Sequence, residues 1–336
     1  MQSGLRNGHS SSGQSTTRSS AISVRDSHGD MFHGATVGKR RVDNTTITLV
    51  PGVEVGHKTY ADAMTGVTVI ALPTPNVGVV DVRGGGPGTR ETGVLGDAIK
   101  PVPVDAIVFS GGSAFGLGSA DGVMAELERL GRGVPTPGGN VPIVPAAIIF
   151  DLAVGDGTVR PGPEDGAAAF RARSSDPVPM GSVGAGAGAT MNKWAGLAGI
   201  RKAGIGTFAM DIGGSAVGAL VVLNAVGTLV QGELYDRDNP SIGLESAFAL
   251  DIAQNTTLMC VVTNAGISDR NELRRIAIRA HDALGATIVP AHTRYDGDTA
   301  FVISTGTHAP QADIDVVAEA AFRCVAESIR LAVENA

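Results

Sequence analysis

The run Thr257-Leu258-Met259-Cys260-Val261-Val262-Thr263 is apolar at both alternating parities, which limits the folds open to this chain more than any other feature. Successive strand residues point to opposite faces, so a strand of this kind needs a covering layer on each side. Comparable runs bounded by Gly or Pro predict strands at 46–50, 66–72, 77–82, 106–110, 205–212 and 216–224. Helix patterns alternate with them at 114–130, 245–255, 269–284 and 312–333, which gives an α/β class. In the third helix Leu273, Ile276, Ala277, Ala280 and Leu284 share one face, Asp269 caps the start with Glu272 three residues on, and Gly285 follows the end. Only 4% of residues are aromatic and 47 are Gly, so the layers must meet on Ala, Val, Ile and Leu with close backbone contacts. With 336 residues and 43% hydrophobic content the chain can bury a large core, as one domain or two.

Residues 1–45 differ: Ser, Gly, Arg and His replace the apolar residues, a composition expected to stay disordered. The segment has no apolar stretch of the kind a signal peptide needs, so a cytoplasmic location is expected. A net charge of -7 argues against nucleic acid or an anionic membrane as partner, since both attract basic surfaces. Two cysteines, Cys260 and Cys324, are too few for a disulfide framework and fit a reducing compartment. No apolar run is long enough for a membrane span.

At the mouth of the apolar run stands Asn255-Thr256-Thr257. A Thr hydroxyl is a weak nucleophile without a base beside it, and one solution is to pair it with its own N-terminal amine. A cut between Asn255 and Thr256 would free such an amine, with a reference pKa of roughly 7.7 to 8.0, close to working pH. The plainer reading is that Thr is common at strand starts, and Asn44-Thr45-Thr46 repeats the tripeptide. Lys193 beside Trp194 reads equally as a solvated lysine with its stem on the ring. His292, Asp296 and Asp298 offer nitrogen and oxygen ligands close together, but no further His-rich pair completes a metal set. Cys260 shares the parity of Thr256 and Leu258 and reads as core packing. Ser110-Gly111-Gly112-Ser113-Ala114-Phe115-Gly116 fails both the dinucleotide fingerprint and the nucleophile elbow; it reads as a helix start packed on a sheet, its N–H groups available to an oxyanion region. No cofactor is called for.

Several segments carry a family resemblance when taken in order: Val55-Gly56-His57 with 65–69, Arg83-Gly84-Gly85-Gly86-Pro87-Gly88-Thr89-Arg90-Glu91-Thr92, 110–117, 184–193, Val222-Leu223-Asn224-Ala225-Val226-Gly227, Asn255-Thr256-Thr257 and Asp296-Gly297-Asp298-Thr299. In these the chain resembles the DmpA-type self-processing aminopeptidases and amidases, which include L-aminopeptidase/D-esterases, β-aminopeptidases and nylon-oligomer hydrolases. The resemblance implies a four-layer αββα sandwich over 46–336, shared with ornithine acetyltransferases, and cutting into 1–255 and 256–336. It implies Thr256 as nucleophile, Lys193 assisting proton transfer, Asn224 donating to the oxyanion, and Asp296 and Asp298 holding the new ammonium and hydroxyl. Phe150, Gly111 and Gly112 are expected to line the substrate site; Phe150 stands where nylon-hydrolase relatives carry Tyr and so lacks its hydroxyl. The substrate implied is a small peptide-like compound or short oligoamide, and the assembly a homotetramer of processed heterodimers. The aminopeptidase branch uses an acid before the Tyr-equivalent position, and 144–150 offers none until Asp151, which tilts the reading towards a general amidase. An acyl transferase is a further alternative, although the sequence around Thr256 does not match that group.

Overall fold

A computed structural model describes residues 44–96, 100–232, 255–306 and 312–336. The helix expected at 245–255 lies outside the described residues except for Asn255, which instead pairs in parallel with Asp296 as an isolated bridge. The expected tail lies outside them except for Asn44 and Thr45, and the Thr45 carbonyl accepts from the Ala209 N–H at 2.7 Å.

Ten strands build two five-stranded sheets. In chain order they are β1 (Glu54–Tyr60), β2 (Thr65–Ala71), β3 (Val77–Val82), β4 (Thr89–Arg90), β5 (Ala106–Ser110), β6 (Ala146–Ile148), β7 (Ile205–Asp211), β8 (Ala216–Asn224), β9 (Thr256–Thr263) and β10 (Thr299–Ser304). The helices are α1 (Ser119–Arg129), α2 (Pro163–Arg171), α3 (Arg270–Thr287) and α4 (Ile314–Glu334). The first sheet runs β1-β2-β5-β6-β4 and the second β7-β8-β9-β10-β3. Each has one parallel pair, β5 with β6 and β9 with β10. A parallel pair needs a crossover connection, and α1 and α3 lie within those two connections.

Three apolar layers separate four structural ones. Ile70, Ile107, Phe109 and Ala147 of the first sheet meet Leu220, Val222, Leu258, Cys260, Val262, Phe301 and Ile303 of the second. Val67, Val69, Ala106 and Val108 face the first helix pair with Val123, Leu127 and Phe170. Val217, Val221, Met259 and Val261 face the second pair with Leu273, Ile276, Val325 and Ile329. All eight residues of β9 are buried, so its two apolar faces find their two covering layers. Burial pushes the Cys260 thiol up, as expected of a core residue and not of a nucleophile. The scarcity of aromatic residues is met by close backbone contact: a Cβ on Gly122 of α1 would lie 1.7 Å from the Pro163 carbonyl oxygen, and one on Gly166 of α2 would lie 1.8 Å from that of Ser119.

Some local expectations change. The strand expected at 46–50 is a 3-10 turn, Ile47–Leu49, because the Asn44 side chain accepts from both the N–H and the hydroxyl of Thr46 and turns the chain. The helix expected at 114–130 opens as a 3-10 segment, Ser113–Gly118, before α1 begins. Asp269 does cap α3, accepting from the Asn271 N–H at 2.8 Å, but the helix runs through Gly285 to Thr287.

Candidate active site

Thr256 is the first residue of β9, and Asn224, the last of β8, is its antiparallel partner. Both share the face of Leu258 and Leu220, so they sit at one end of the layer between the sheets. Thr256 is 3% exposed and its hydroxyl lies against the Asn255 carbonyl oxygen. That oxygen accepts the Gly297 N–H at 2.7 Å. A Cβ on Gly297 would lie 2.7 Å from the Thr256 Oγ1, so the hydroxyl occupies the space a side chain would take. The Asn255 N–H donates to the Tyr295 carbonyl at 2.8 Å, so Asn255 is bonded to the 293–298 loop through both its N–H and its carbonyl.

The loop at 293–298 carries the two acids, and both are buried. Asp298 accepts the Thr257 N–H on Oδ1 at 2.8 Å; its Oδ2 accepts the His292 N–H at 3.0 Å and the His292 Nδ1–H at 2.8 Å. Asp296 accepts the Val226 N–H on Oδ1 and both the N–H and hydroxyl of Thr293 on Oδ2. Burial, then the charge of Asp298, pushes the Asp296 pKa up to about 6. The glycine run after Arg83 exists for this loop. Gly86 donates to the Asp296 carbonyl at 2.8 Å, and a Cβ on Gly84 would lie 2.3 Å from the Asp298 nitrogen. No residue larger than Gly admits the loop so closely.

Lys193 reaches the site from the turn after Met191, its ammonium donating to the Asn224 Oδ1 at 2.7 Å and the Thr190 carbonyl at 3.1 Å. The residue is partly exposed, yet its ammonium end is enclosed; burial pushes its pKa down to about 7, with the Asp296 charge opposing. It is therefore not the solvated lysine of the plainer reading. Asn224 also accepts the Thr190 N–H at 3.1 Å and donates from Nδ2 to the Phe150 carbonyl at 3.2 Å.

The fold thus brings together Asn255, Thr256, Asn224, Lys193, Asp296 and Asp298, with Phe150 joined through its backbone. In the uncut chain these residues make the following contacts. With the Asn255-Thr256 bond intact, the scissile carbonyl is held by Gly297 and not by Asn224, because that carbonyl turns towards the 293–298 loop. Asp298 holds the Thr257 N–H instead of any group of Thr256, and Asp296 holds Val226 and Thr293. Gly111 and Gly112 do not offer free amides: Gly111 donates to the Gly66 carbonyl at 2.9 Å and Gly112 to the Asp151 Oδ1 at 2.7 Å. Asp151 is buried with its other oxygen accepting the Thr65 hydroxyl at 2.7 Å, so it faces inward. Gly297 is not legible as a site residue, since a backbone amide leaves no mark in the side-chain pattern; His292, grouped in the sequence with the two acids as a possible ligand, instead bonds to Asp298.

A strand-opening Thr, an enclosed Lys and an acid pair meet at one end of a four-layer αββα sandwich, and the chain's family and relatives make it an amide-bond hydrolase. The sequence profile of peptidase family S58 matches residues 45–336, and the chain belongs to that family. An uncharacterised aminopeptidase of Mycobacterium leprae is 40% identical over 332 residues, 86% of this chain and 90% of that protein. The 6-aminohexanoate-oligomer endohydrolase of Paenarthrobacter ureafaciens is 32% identical over 275 residues, 76% of this chain and 73% of that protein. The L-aminopeptidase D-Ala-esterase/amidase of Ochrobactrum anthropi, a variant of the Ntn hydrolase fold, superposes with a TM-score of 0.66 at 21% identity, over 85% of this chain and 84% of that one. The DmpA-type resemblance read from the sequence is thereby borne out. Among the described residues no helix is long and apolar enough to cross a membrane.

Proposed function

We propose that the chain cuts itself between Asn255 and Thr256 and that Thr256 then hydrolyses amide bonds of peptide-like or short oligoamide substrates. One observation carries this reading: the Thr256 hydroxyl lies against the oxygen of the carbonyl that precedes it, and the Gly297 N–H holds that same oxygen at 2.7 Å. Attack by Oγ1 on the Asn255 carbonyl carbon places negative charge on the oxygen that Gly297 already holds. Lys193, its pKa pushed down to about 7, takes the hydroxyl proton and returns it to the departing Thr256 nitrogen. The C–N bond breaks and frees the Thr256 amine, an ester links Asn255 to Oγ1, and water hydrolyses that ester to the Asn255 carboxylate and the Thr256 hydroxyl. Turnover repeats the sequence on a substrate carbonyl, with acyl-Thr256 as intermediate and the new amine as base. Asn224 keeps one amide hydrogen beyond its bond to Phe150 and is assigned to the substrate oxyanion. The 6-aminohexanoate-oligomer relative supports an oligoamide substrate, and the naming of relatives as hydrolases and aminopeptidases supports water over another acyl acceptor.

The name of the Mycobacterium leprae relative favours an aminopeptidase as second reading. Such an enzyme grips a substrate ammonium with an acid, and Asp151 is turned inward onto Thr65 and Gly112. We therefore place the general amidase first. Homotetramers of processed heterodimers belong to the same proposal.

The test is direct. Purified protein is expected to run as two fragments, 1–255 and 256–336, the smaller beginning Thr-Thr-Leu-Met. Thr256→Ala is expected to stay one inactive chain, while Thr257→Ala still cuts, because residues 256 and 257 point to opposite faces of β9. An uncut wild-type chain with full activity would overturn the mechanism.

A further inference from the structure

The ring of His292 takes no part in the steps above, yet it is built into the site with unusual care. Its backbone sits at φ 55, in the left-handed region, which is uncommon outside Gly and which Asn, Asp and His enter more often than other side chains. From there its N–H and its Nδ1–H both donate to the same oxygen of Asp298, Oδ2. The other oxygen, Oδ1, accepts the Thr257 N–H, one residue past the nucleophile. Behind His292 lies His281 of α3, 1% exposed, its ring set edgewise at 4.8 Å and its Nε2 on the Asp81 carbonyl of β3. The free nitrogens of the two rings, His281 Nδ1 and His292 Nε2, are buried without a hydrogen-bond partner. Burial keeps His281 neutral, with a pKa near 4, so it supports the ring beside it by packing and not by charge. The unpartnered His292 Nε2 is a desolvation cost that a side chain without that nitrogen would avoid.

We propose that His292 is a positioning residue: by fixing Asp298 Oδ2 with two donors it turns Oδ1 onto the Thr257 N–H and so sets the start of β9, which holds the Thr256 hydroxyl on the Asn255 carbonyl. The proposal rests on the reading of Thr256 as nucleophile. Without the ring, each Asp298 oxygen keeps one backbone donor, the Thr257 N–H on Oδ1 and the His292 N–H on Oδ2; the ring adds a second donor on Oδ2 and so narrows the carboxylate's rotation about Cβ–Cγ. The two residues then act as one orienting unit behind the nucleophile, in the manner of the acid that orients the base of a triad.

Two substitutions separate the side chain from the backbone it sits on. His292→Gly relieves the left-handed φ and removes the ring donor; His292→Asn tolerates that φ and returns a side-chain N–H near Oδ2. Self-cleavage is followed by pulse-labelled cell-free synthesis, and kcat and KM are measured on the processed fraction with an oligoamide substrate. Asp298→Asn serves as the reference. His292→Gly is expected to slow cleavage at least about tenfold and to lower kcat with KM changed less than about twofold, and His292→Asn to recover most of both. A proton spectrum of the uncut Thr256→Ala chain is expected to show a far-downfield ring N–H that disappears in His292→Asn and shifts in Asp298→Asn. Should His292→Gly fail to fold, the His292→Asn rates and this proton decide. Wild-type cleavage in His292→Gly while Asp298→Asn is slow would overturn the proposal and leave the nucleophile reading standing. A folded His292→Asn no better than His292→Gly would overturn it equally. Wild-type cleavage in Asp298→Asn, or a cut Thr256→Ala chain, would instead remove the reading beneath it.

Discussion

Gly297→Ala tests the self-cleavage geometry most sharply, because Gly297 faces the scissile peptide twice. Its N–H holds the Asn255 oxygen at 2.7 Å, and its missing side chain leaves room for the attacking hydroxyl. A methyl there would meet the Thr256 Oγ1 at 2.7 Å, the Gly86 oxygen at 3.0 Å and the Pro87 Cα at 3.1 Å. Two of those neighbours belong to the glycine cradle, which has no flexible end to move aside, so either the hydroxyl turns away or the Gly297 amide withdraws. Losing a preorganised oxyanion donor costs about 2.7 to 4 kcal/mol, or roughly 100- to 1000-fold in rate. Pulse-labelled cell-free synthesis followed by a denaturing gel gives the half-time of precursor loss. Gly84→Ala is the control for disruption of the loop alone: its added Cβ would lie 2.3 Å from the Asp298 nitrogen and leave the hydroxyl's own space open. Slowing of less than about tenfold in a folded Gly297→Ala chain, under roughly 1.4 kcal/mol, would refute the donor role.

Self-cleavage is expected to quicken as pH rises to about 7 and then level off, since Lys193 must be neutral to take the Thr256 proton and its pKa lies near that value. Lys193→Arg, charged at any working pH, is expected to remain uncut, and a flat profile in the wild type would exclude Lys193 as the base. Folding stability should also rise with pH between about 7 and 10.5, because over that window the unfolded chain binds a proton on Lys193 that the folded chain lacks; denaturant midpoints measure it. Chelation is expected to leave activity unchanged while Asp296→Asn lowers it, and loss of activity in EDTA with rescue by a divalent ion would reverse the assignment.

The strands at 77–82, 106–110 and 216–224 are readable to the residue, because each is a largely apolar run closed by Gly, Pro or a polar stop. Strand β1 escaped, since Glu54, His57 and Lys58 break the apolar pattern of a strand paired on one edge only. Helix α2 escaped as well: Pro163–Arg171 relies on small residues closing on α1, and a stripe of Ala and Gly carries little periodic signal. At the site, the order of motifs named Thr256, Lys193, Asn224 and the two acids, all of which meet in space. Which atom each one holds was not readable, because the direction of the Asn255 carbonyl depends on a loop that reaches it from forty residues away.

The order of the second sheet bears on what a cut at Asn255 leaves behind. Strands β7, β8 and β3 would belong to the longer piece and β9 and β10 to the shorter, so the shorter piece is threaded between strands of the longer and sealed by α3 and α4. The two cannot drift apart without tearing open the middle of the sheet, and the new chain end is held where it was made. Melting the precursor frees one molecule, but melting the processed protein frees two, and refolding then requires an encounter. Maturation in this architecture would therefore work as a ratchet: the chain folds once as a single thread, and the finished enzyme persists through the height of its unfolding barrier more than through its capacity to form again.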